Sequence, residues 1–283
     1  MSPRAAPRRR SPGRSPRPDT RRAAPRSGPR RTPKIREGLG GDQVEGRRAV
    51  LELLLAKRRA VQQILIAEGQ DASEVLDAIE FEAQRQRIPV HLIAKARLDR
   101  EAKTEGHQGV MAFAAPLSTV SLEDLLSVKR PFLLVCDGVT DPRNLGAMLR
   151  SADGAGVSGV IVPRHRSARI SPTVTKTAAG AIEYLTFCDV GGIPTTIDQL
   201  NRAGVLTVGL AEDAKSSLYG VDLASSPVAL VVGGEEKGLS SLTRKRCATV
   251  VSIPQLGRIS SLNAGVAVSV AAFEVARQRR KPK

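Results

Sequence analysis

The chain has 283 residues, of which 41% are hydrophobic, and this length allows one large domain or two ordinary ones. It has no Trp and only 2% aromatic residues, so RNA binding dominated by base stacking on aromatic rings is excluded. The three Cys are scattered along the chain, which is typical of a cytoplasmic protein. The three His are scattered as well, so no metal site is expected. No membrane span is expected either, because there is no apolar run of the ~18 residues that a membrane helix needs.

The formal net charge of +16 is concentrated at the N-terminus. Residues 1–36 hold 13 Lys and Arg, one acidic residue and eight of the 18 prolines, so they carry +12 while the remaining residues carry +4. Such a segment cannot bury enough apolar surface to offset its ordering entropy. We therefore expect a disordered tail and Gly-rich linker over residues 1–45. The tail either tethers RNA through counterion release or acts as a solubilising extension.

Residues 46–116 alternate between helical and strand patterns, which predicts a small α/β domain. The helical patterns are RRAVLELLLAKR, ASEVLDAIEFEAQRQR (72–87) and KARLDREAK. The strand patterns are QQILIAEG (62–69), PVHLIA (89–94) and GVMAFAAP (109–116). Residues 117–130 are predicted to be a connector with one short helix, SLEDLLSV.

Residues 131–283 are predicted to form a second, larger α/β domain. Its strands are PFLLVCDGV (131–139), GVIVP (159–163), VLTVGL (205–210), VALVVG (228–233) and ATVVSIP (248–254). Their nearly continuous apolar runs are typical of parallel strands that are buried on both faces. Two helices complete the pattern, at residues 141–156 and 261–280.

The segment DPRNLGAMLRSADGAG (141–156) contains one arginine, Arg150, on a helix of small and apolar residues. Asp141 suits the N-cap, and the next residue is a proline. Gly146 and Ala147 share the face of Arg150, where their small side chains are expected to leave space beside the guanidinium. Asn144 lies near the carboxyl end of the preceding strand, where open α/β sheets bind ligands. Alternatively, Arg150 is an ordinary solvated arginine.

Two further segments contain polar residues at the ends of predicted strands or helices. GGEEKGLS (233–240) directly follows a buried strand, and such a turn lets a ligand approach the backbone, although it also fits a tight turn with solvated charges. IPQLGRISSLN (253–263) leads into the last helix. There Ser261 suits an N-cap, while Asn263 would lie inside the first turn.

Together, and in this order, these three segments resemble the motifs of the SpoU/TrmH family of S-adenosylmethionine-dependent RNA ribose 2′-O-methyltransferases, within the SPOUT superfamily. The resemblance runs from about Gly46 to the C-terminus. Residues 46–116, ending in HQGVMAFAAP, are similar to the L30-like substrate-binding domain of the branch that methylates a guanosine in the P loop of 23S ribosomal RNA. RHRSARISPTVTKTAAGAIE (164–183) resembles the same branch.

The resemblance implies an α/β fold whose parallel sheet ends in a trefoil knot within residues 131–283. It also implies a homodimer with the active site near the dimer interface, no metal, and 23S RNA or a pre-50S particle as partner. The residues it implies to be catalytic are Asn144, Arg150, Glu235, Ser261 and Asn263, and those it implies to bind the cofactor are Gly233, Ile253 and Leu262.

Two positions depart from the family pattern. Glu236 stands where the family usually has Gly, and a left-handed backbone there would be strained for Glu. The segment IEYLTF, which contains Tyr184, stands where the family usually has a small residue followed by proline.

The implied reaction is attack by a ribose 2′-hydroxyl on the methyl group of the cofactor. In one version Arg150 acts as the base that removes the proton of the hydroxyl. In the other, which is easier for a guanidinium that stays protonated, Arg150 binds an RNA phosphate and stabilises the negative charge that develops on the 2′-oxygen. In both versions Asn144 and Glu235 orient Arg150. The alternatives are the same chemistry at another ribosomal site linked to antibiotic resistance, methylation of transfer RNA, or a non-catalytic scaffold for ribosome assembly.

Overall fold

The computed structural model describes Met1 and residues 38–165, 168–258 and 261–280. Most of the predicted tail, residues 2–37, therefore lies outside the described part. Residues 38–280 contain two β-sheets, one formed before residue 115 and the other after residue 131. None of the described helices is both long and apolar enough to cross a membrane.

The first sheet has four strands, in the order β1-β4-β2-β3. They are β1 (Gln43–Glu45), β2 (Val61–Ala67), β3 (Val90–Ile93) and β4 (Val110–Ala114). Three helices accompany them, α1 (Arg47–Ala56), α2 (Glu74–Arg85) and α3 (Lys95–Glu101). The sheet is mixed, because β4 is antiparallel to both of its neighbours while β2 and β3 are parallel.

Strand β1 corrects the prediction of a linker through residue 45. Its three residues are buried and pair with Met111–Phe113 of β4. The side chain of Gln43 donates a hydrogen bond of 2.8 Å to Glu45, and Glu45 also accepts from the backbone of Lys103 at 2.7 Å. A pattern of three residues is too short to be recognised as a strand from the sequence. Its two polar side chains can be buried because residues distant along the chain satisfy their hydrogen bonds, and the local sequence does not show these partners.

The second sheet has seven parallel strands, in the order β7-β6-β5-β10-β8-β11-β9. The strands are β5 (Phe132–Asp137), β6 (Gly159–Pro163), β7 (Phe187–Val190), β8 (Leu206–Leu210), β9 (Ser216–Ser217), β10 (Val228–Gly233) and β11 (Thr249–Ser252). The helices after residue 120 are α4 (Leu122–Leu126), α5 (Pro142–Gly154), α6 (Pro172–Thr177), α7 (Ile193–Arg202), α8 (Ser241–Arg246) and α9 (Ala264–Arg279).

Both faces of this sheet are covered, which confirms the predicted parallel α/β architecture. Alternate residues of each central strand point to opposite faces. Leu134 of β5 therefore belongs to a core with the apolar side chains of α5, α6 and α9, while Leu133 belongs to a second core with those of α7. The trefoil knot stays a prediction.

Candidate active site

A cavity of about 660 Å³ opens at the carboxyl ends of β8, β10 and β11. Its walls are formed by residues 210–213, 232–239, Arg244, Val251, Ile253, Gln255, 261–264 and Ala267. This is the edge at which parallel α/β sheets bind ligands. Among the described residues there is no group of three or more His, Cys, Asp or Glu side chains that could hold a metal ion.

The three residues predicted to bind a cofactor, Gly233, Ile253 and Leu262, all line this cavity. Gly233 has a packing reason to be glycine, because an added Cβ would collide with the backbone of Gly238. The loop after β10 thus folds back onto the end of its own strand. This close approach brings backbone N–H and C=O groups to the cavity wall.

The loop over residues 233–240 does not strain Glu236. The residue with a left-handed backbone is Gly238, with φ of 58°, and Glu236 is absent from the described residues with positive φ. The left-handed backbone that would have strained Glu236 is therefore not present at this position. The loop is closed by a hydrogen bond of 2.8 Å from the Gly238 N–H to the Gly234 carbonyl, and the Ser240 N–H donates to Asp137 at 3.0 Å.

Three of the predicted catalytic side chains form one hydrogen-bonded chain. Nδ2 of Asn263 donates to Oδ1 of Asn144 at 2.9 Å, and Nδ2 of Asn144 donates to Glu235. The same Asn144 amide donates to Asp141, the N-cap of α5, at 3.0 Å. Glu235 and Asn263 line the cavity, and Asn144 joins them from outside its walls. Three segments distant in sequence therefore meet at one rim.

The N-cap of α9 is Asn263 and not Ser261, so the prediction of a helix starting at residue 261 was wrong. Oδ1 of Asn263 accepts hydrogen bonds from the N–H groups of Gly265 at 2.9 Å and Val266 at 3.3 Å. One side chain thus caps a helix with its oxygen and contacts Asn144 with its nitrogen. Ser261 is exposed and lines the cavity.

Arg150 lies apart from this group. Its side chain is exposed, it does not line the cavity, and it makes no hydrogen bond or ion pair within residues 38–165, 168–258 and 261–280. No contact joins Arg150 to Asn144 or Glu235 within the described part of this chain, so their predicted role in orienting Arg150 stays a prediction. On an α-helix, residues six positions apart point in directions about 120° apart, so Arg150 and Asn144 cannot share a face.

The small residues next to Arg150 have another use than the one predicted. A Cβ added at Gly146 would lie 2.6 Å from Cβ of Thr177, so this glycine allows α5 to pack closely against α6. On the α9 side, the Cβ of Ala147 lies 3.3 Å from the position of a Cβ added at Gly265. Both residues serve helix packing, and the space beside Arg150 is open to solvent.

Tyr184 lies outside the cavity. Its hydroxyl donates a hydrogen bond of 2.7 Å to Glu52 of α1, and burial together with this bond raises the pKa of Tyr184 to about 12. Cys247 is half-buried, and burial, with Asp137 as a smaller cause, raises the pKa of its thiol to about 11. The thiol is therefore protonated at neutral pH.

The cavity also contains polar residues that the sequence analysis missed. They are Glu212, Asp213, Arg244 and Gln255. Arg244 donates a hydrogen bond of 2.6 Å to Asp213. Their position gave a signal for two of them, because Glu212 and Asp213 lie two and three residues after the end of the predicted strand VLTVGL (205–210).

Comparison with known families assigns this architecture. A model of the SpoU rRNA Methylase family matches residues 131–273, and a model described as RNA 2′-O ribose methyltransferase substrate binding matches residues 43–120. The chain belongs to the SpoU rRNA methylase family. The resemblance inferred from the three motifs is thereby confirmed, and the second model coincides with the first β-sheet.

Curated relatives and solved structures support the same assignment. The 23S rRNA (guanosine-2′-O-)-methyltransferase RlmB of Pectobacterium atrosepticum is 42% identical over 72% of this chain and 85% of that protein. Its counterpart from Pseudomonas aeruginosa is 45% identical over 68% of this chain and 79% of that protein. The SpoU methyltransferase AviRb from Streptomyces viridochromogenes, in complex with the cofactor AdoMet, is 27% identical, with a TM-score of 0.70 over 84% of this chain and 89% of that chain.

Proposed function

We propose that this protein transfers a methyl group from S-adenosylmethionine to the ribose 2′-oxygen of a guanosine in 23S ribosomal RNA, within its P loop. The observation that carries the proposal is the meeting of Asn144, Glu235 and Asn263 at the rim of a ligand-sized cavity. Membership of the SpoU family and the names of the RlmB relatives support the substrate class.

The cavity suits S-adenosylmethionine in size and in chemistry. A volume of about 660 Å³ lies within the range of small-molecule sites. Leu210, Val232 and Ile253 offer apolar surface for an adenine ring, and the backbone around Gly233 offers hydrogen-bonding groups. When bound, the cofactor supplies an electrophilic methyl group to the 2′-oxygen. In this assignment Gly233, Ile253 and Leu262 hold its adenosine.

The protein's own residues act by positioning and by charge. The chain of Asn263, Asn144 and Glu235 holds the opening of α9 and the loop after β10 in one arrangement, so that the ribose meets a preorganised rim. We assign Ser261, which is exposed at this rim, to contact with the ribose.

Arg150 acts as a cationic clamp in this mechanism. Its guanidinium stays protonated, so it binds an RNA phosphate and stabilises the negative charge that develops on the 2′-oxygen. The proton of the hydroxyl leaves to phosphate or water. This role needs an exposed arginine, and Arg150 is exposed.

We further propose that the protein acts as a homodimer, because Arg150 does not reach the cavity of its own chain. The face of α9 carries Val266, which is 48% exposed, and Phe273, which is 52% exposed, and Leu262 continues this apolar stripe into the cavity wall. An exposed apolar stripe of this kind favours association. A second copy packed on the stripe by two-fold symmetry would bring its own Arg150 toward this cavity.

In this proposal two segments of the chain contact the RNA. Residues 43–120 bind ribosomal RNA, free or in a pre-50S particle, and the Arg-rich N-terminal segment adds affinity through counterion release. Because ribosomal RNA is the substrate, the protein would act in the cytoplasm.

Transfer of labelled methyl from S-adenosylmethionine to unmodified 23S RNA, followed by mapping of 2′-O-methylated nucleotides, tests the proposal. We expect a single labelled guanosine in the P loop. If the label appeared at another ribosomal nucleotide or on transfer RNA, the methyl-transfer activity would be confirmed and the proposed substrate would be wrong.

Absence of label on RNA and on precursor particles, together with absence of cofactor binding, would overturn the enzymatic assignment in favour of a scaffold. The control is the Arg150→Ala variant, which should bind the cofactor normally and transfer no methyl group.

A further inference from the structure

A buried ion pair connects the two sheet-containing parts of the chain. Arg59, in the loop between α1 and β2, donates from Nε to Oε2 of Glu183 at 2.9 Å and pairs through Nη2 with Oε1. The side chains are 5% and 1% exposed. This bidentate geometry fixes the relative orientation of the two side chains as well as their distance, because a planar guanidinium faces a planar carboxylate.

The first sheet and its helices (residues 43–114) are called the substrate-binding part below, and residues 131–280, which include Glu183, the methylase part. The remaining donors of Arg59 bind the two segments through which the chain enters and leaves the substrate-binding part. Its Nη1 donates to the carbonyl of Gly41 at 2.7 Å and to that of Ala115 at 2.8 Å. Gly41 precedes β1, and Ala115 follows β4. One side chain therefore holds both connecting segments and the carboxylate of Glu183.

Neighbouring contacts run along the same boundary. Arg58 donates to the carbonyl of Glu183 at 3.1 Å, and the Gly41 N–H donates to the carbonyl of Ile170 at 2.7 Å. A Cβ at Gly180, whose φ is 89°, would collide with the side chain of Glu52. The boundary is therefore closely packed on both sides of the ion pair.

We propose that Arg59 and Glu183 are positioning residues that fix the angle between the substrate-binding part and the methylase part, and so select which nucleotide reaches the cavity. This inference rests on the proposed function. A buried ion pair adds little net stability compared with apolar residues of similar volume, so stability alone does not explain this pair. Its directional contacts to Glu183, Gly41 and Ala115 suit a role in orientation.

The first test measures the angle without using activity. The double variant Arg59→Met/Glu183→Leu removes both charges and retains apolar volume, so it should fold. Spin labels at two exposed residues, Gln84 of α2 and Gln199 of α7, in a Cys247→Ser background, report the distance between the two parts. We expect a narrow distance distribution in the parent and a clearly broader one in the double variant.

The second test uses the reaction. We expect the KM for a 23S RNA fragment to rise about tenfold in the double variant, because two binding surfaces no longer face the RNA in one geometry. Binding of S-adenosylmethionine should stay unchanged, and methylation should spread to nucleotides near the original site. The Arg59→Lys variant keeps the charge but loses the planar fork, and it should give an intermediate KM.

The matched control is Arg97→Met/Glu101→Gln, which removes an exposed Arg–Glu pair within α3. It should leave the distance distribution unchanged, because this pair lies within one helix and does not cross the boundary. A narrow distribution with parental KM in the double Arg59/Glu183 variant would overturn the proposal. If that variant does not fold, Glu183→Gln takes its place with the same expected broadening, and a parental distribution there would overturn the proposal equally.

The two proposals can fail separately. A parent protein that transfers no methyl group to RNA would remove the proposed function, while the distance distributions would still decide whether Arg59 and Glu183 fix the angle.

Discussion

Asn144 and Asn263 lie 119 residues apart in sequence and are joined by a hydrogen bond of 2.9 Å. The bond connects the first turn of α5 to the N-cap of α9. Because Asn144 also donates to Glu235, a change at any of the three residues is transmitted to the rim of the cavity. Substitutions at this group should therefore affect methyl transfer more than they affect folding.

Asn263→Asp separates the two contacts of this side chain. Aspartate is a good N-cap, so the free energy of unfolding should stay close to the parental value, whereas Asn263→Ala should lower it by about 1 kcal/mol. Both variants lose the donor to Asn144, so both should reduce kcat about tenfold or more. Urea unfolding and single-turnover methyl transfer measure the two effects. A fully active Asp variant would show that the contact between Asn263 and Asn144 does not matter.

Gly233→Ala should abolish cofactor binding while leaving most of the fold intact. The added Cβ collides with the backbone of Gly238, so the loop after β10 must move away from the cavity wall. We expect calorimetry to detect no binding of S-adenosylmethionine to this variant. Gly220→Ala is the control, because an added Cβ there meets nothing within 4 Å. Parental affinity in Gly233→Ala would mean that the cofactor binds elsewhere.

Glu236→Gly should bring no gain in activity, although it restores the residue that the family usually has. Glu236 is not in the left-handed region, so there is no strain for glycine to relieve. The added backbone freedom should lower stability slightly. Gly238→Ala is the contrasting variant. It should lower the free energy of unfolding, because a backbone with φ of 58° costs roughly 1 kcal/mol for a residue with a Cβ. Higher kcat in Glu236→Gly would contradict this description of the loop.

The sequence predicted those features that depend on local patterns. Val228–Gly233 is a strand of the predicted extent, because a continuous apolar run between turns has few other interpretations. Asp141 is the N-cap of α5 as predicted, because N-capping depends on a few consecutive residues. Strand β1 was missed because its polar side chains are satisfied by distant residues.

The arrangement of the site was predicted less completely, because it depends on long-range contacts. Glu235 and Asn263 line one cavity, which agrees with the shared site that the resemblance to the three motifs implied. The separation of Arg150 from Asn144 has a local cause instead, because their six-residue spacing on α5 points the two side chains about 120° apart. The pair of Arg59 and Glu183 joins residues 124 positions apart, and no local periodicity marks it.

Asp153→Asn should stabilise the protein at neutral pH. Burial, and then the nearby Glu52 carboxylate, raises the pKa of Asp153 above its ordinary value of 3.8. Ionisation in the folded state is therefore unfavourable, and the cost grows as pH rises through the raised pKa. The urea midpoint of the variant should exceed that of the parent at pH 7, and the two should converge at pH 3.

Asp222→Asn should have the opposite effect on the urea midpoint. Hydrogen bonds from Ser225 lower the pKa of Asp222, so its ionised form stabilises the folded state, and the substitution should lower the midpoint at pH 7.

Arg150→Ala should abolish methyl transfer and leave cofactor binding intact, because Arg150 does not line the cavity of its own chain. Loss of cofactor binding in this variant would assign Arg150 a structural role. If Arg150 acts in the cavity of a second copy, two inactive variants should complement each other. Arg150→Ala retains an intact cavity, and Gly233→Ala retains an intact arginine.

The two variants are denatured together and refolded as a mixture, so that about half of the dimers are mixed and about a quarter of all sites combine an intact cavity with an arginine from the other copy. Roughly a quarter of parental activity should return. Each variant refolded alone is the control and should stay inactive. If Arg150 served its own chain, no site in the mixture would be complete, and the mixture would stay as inactive as its components.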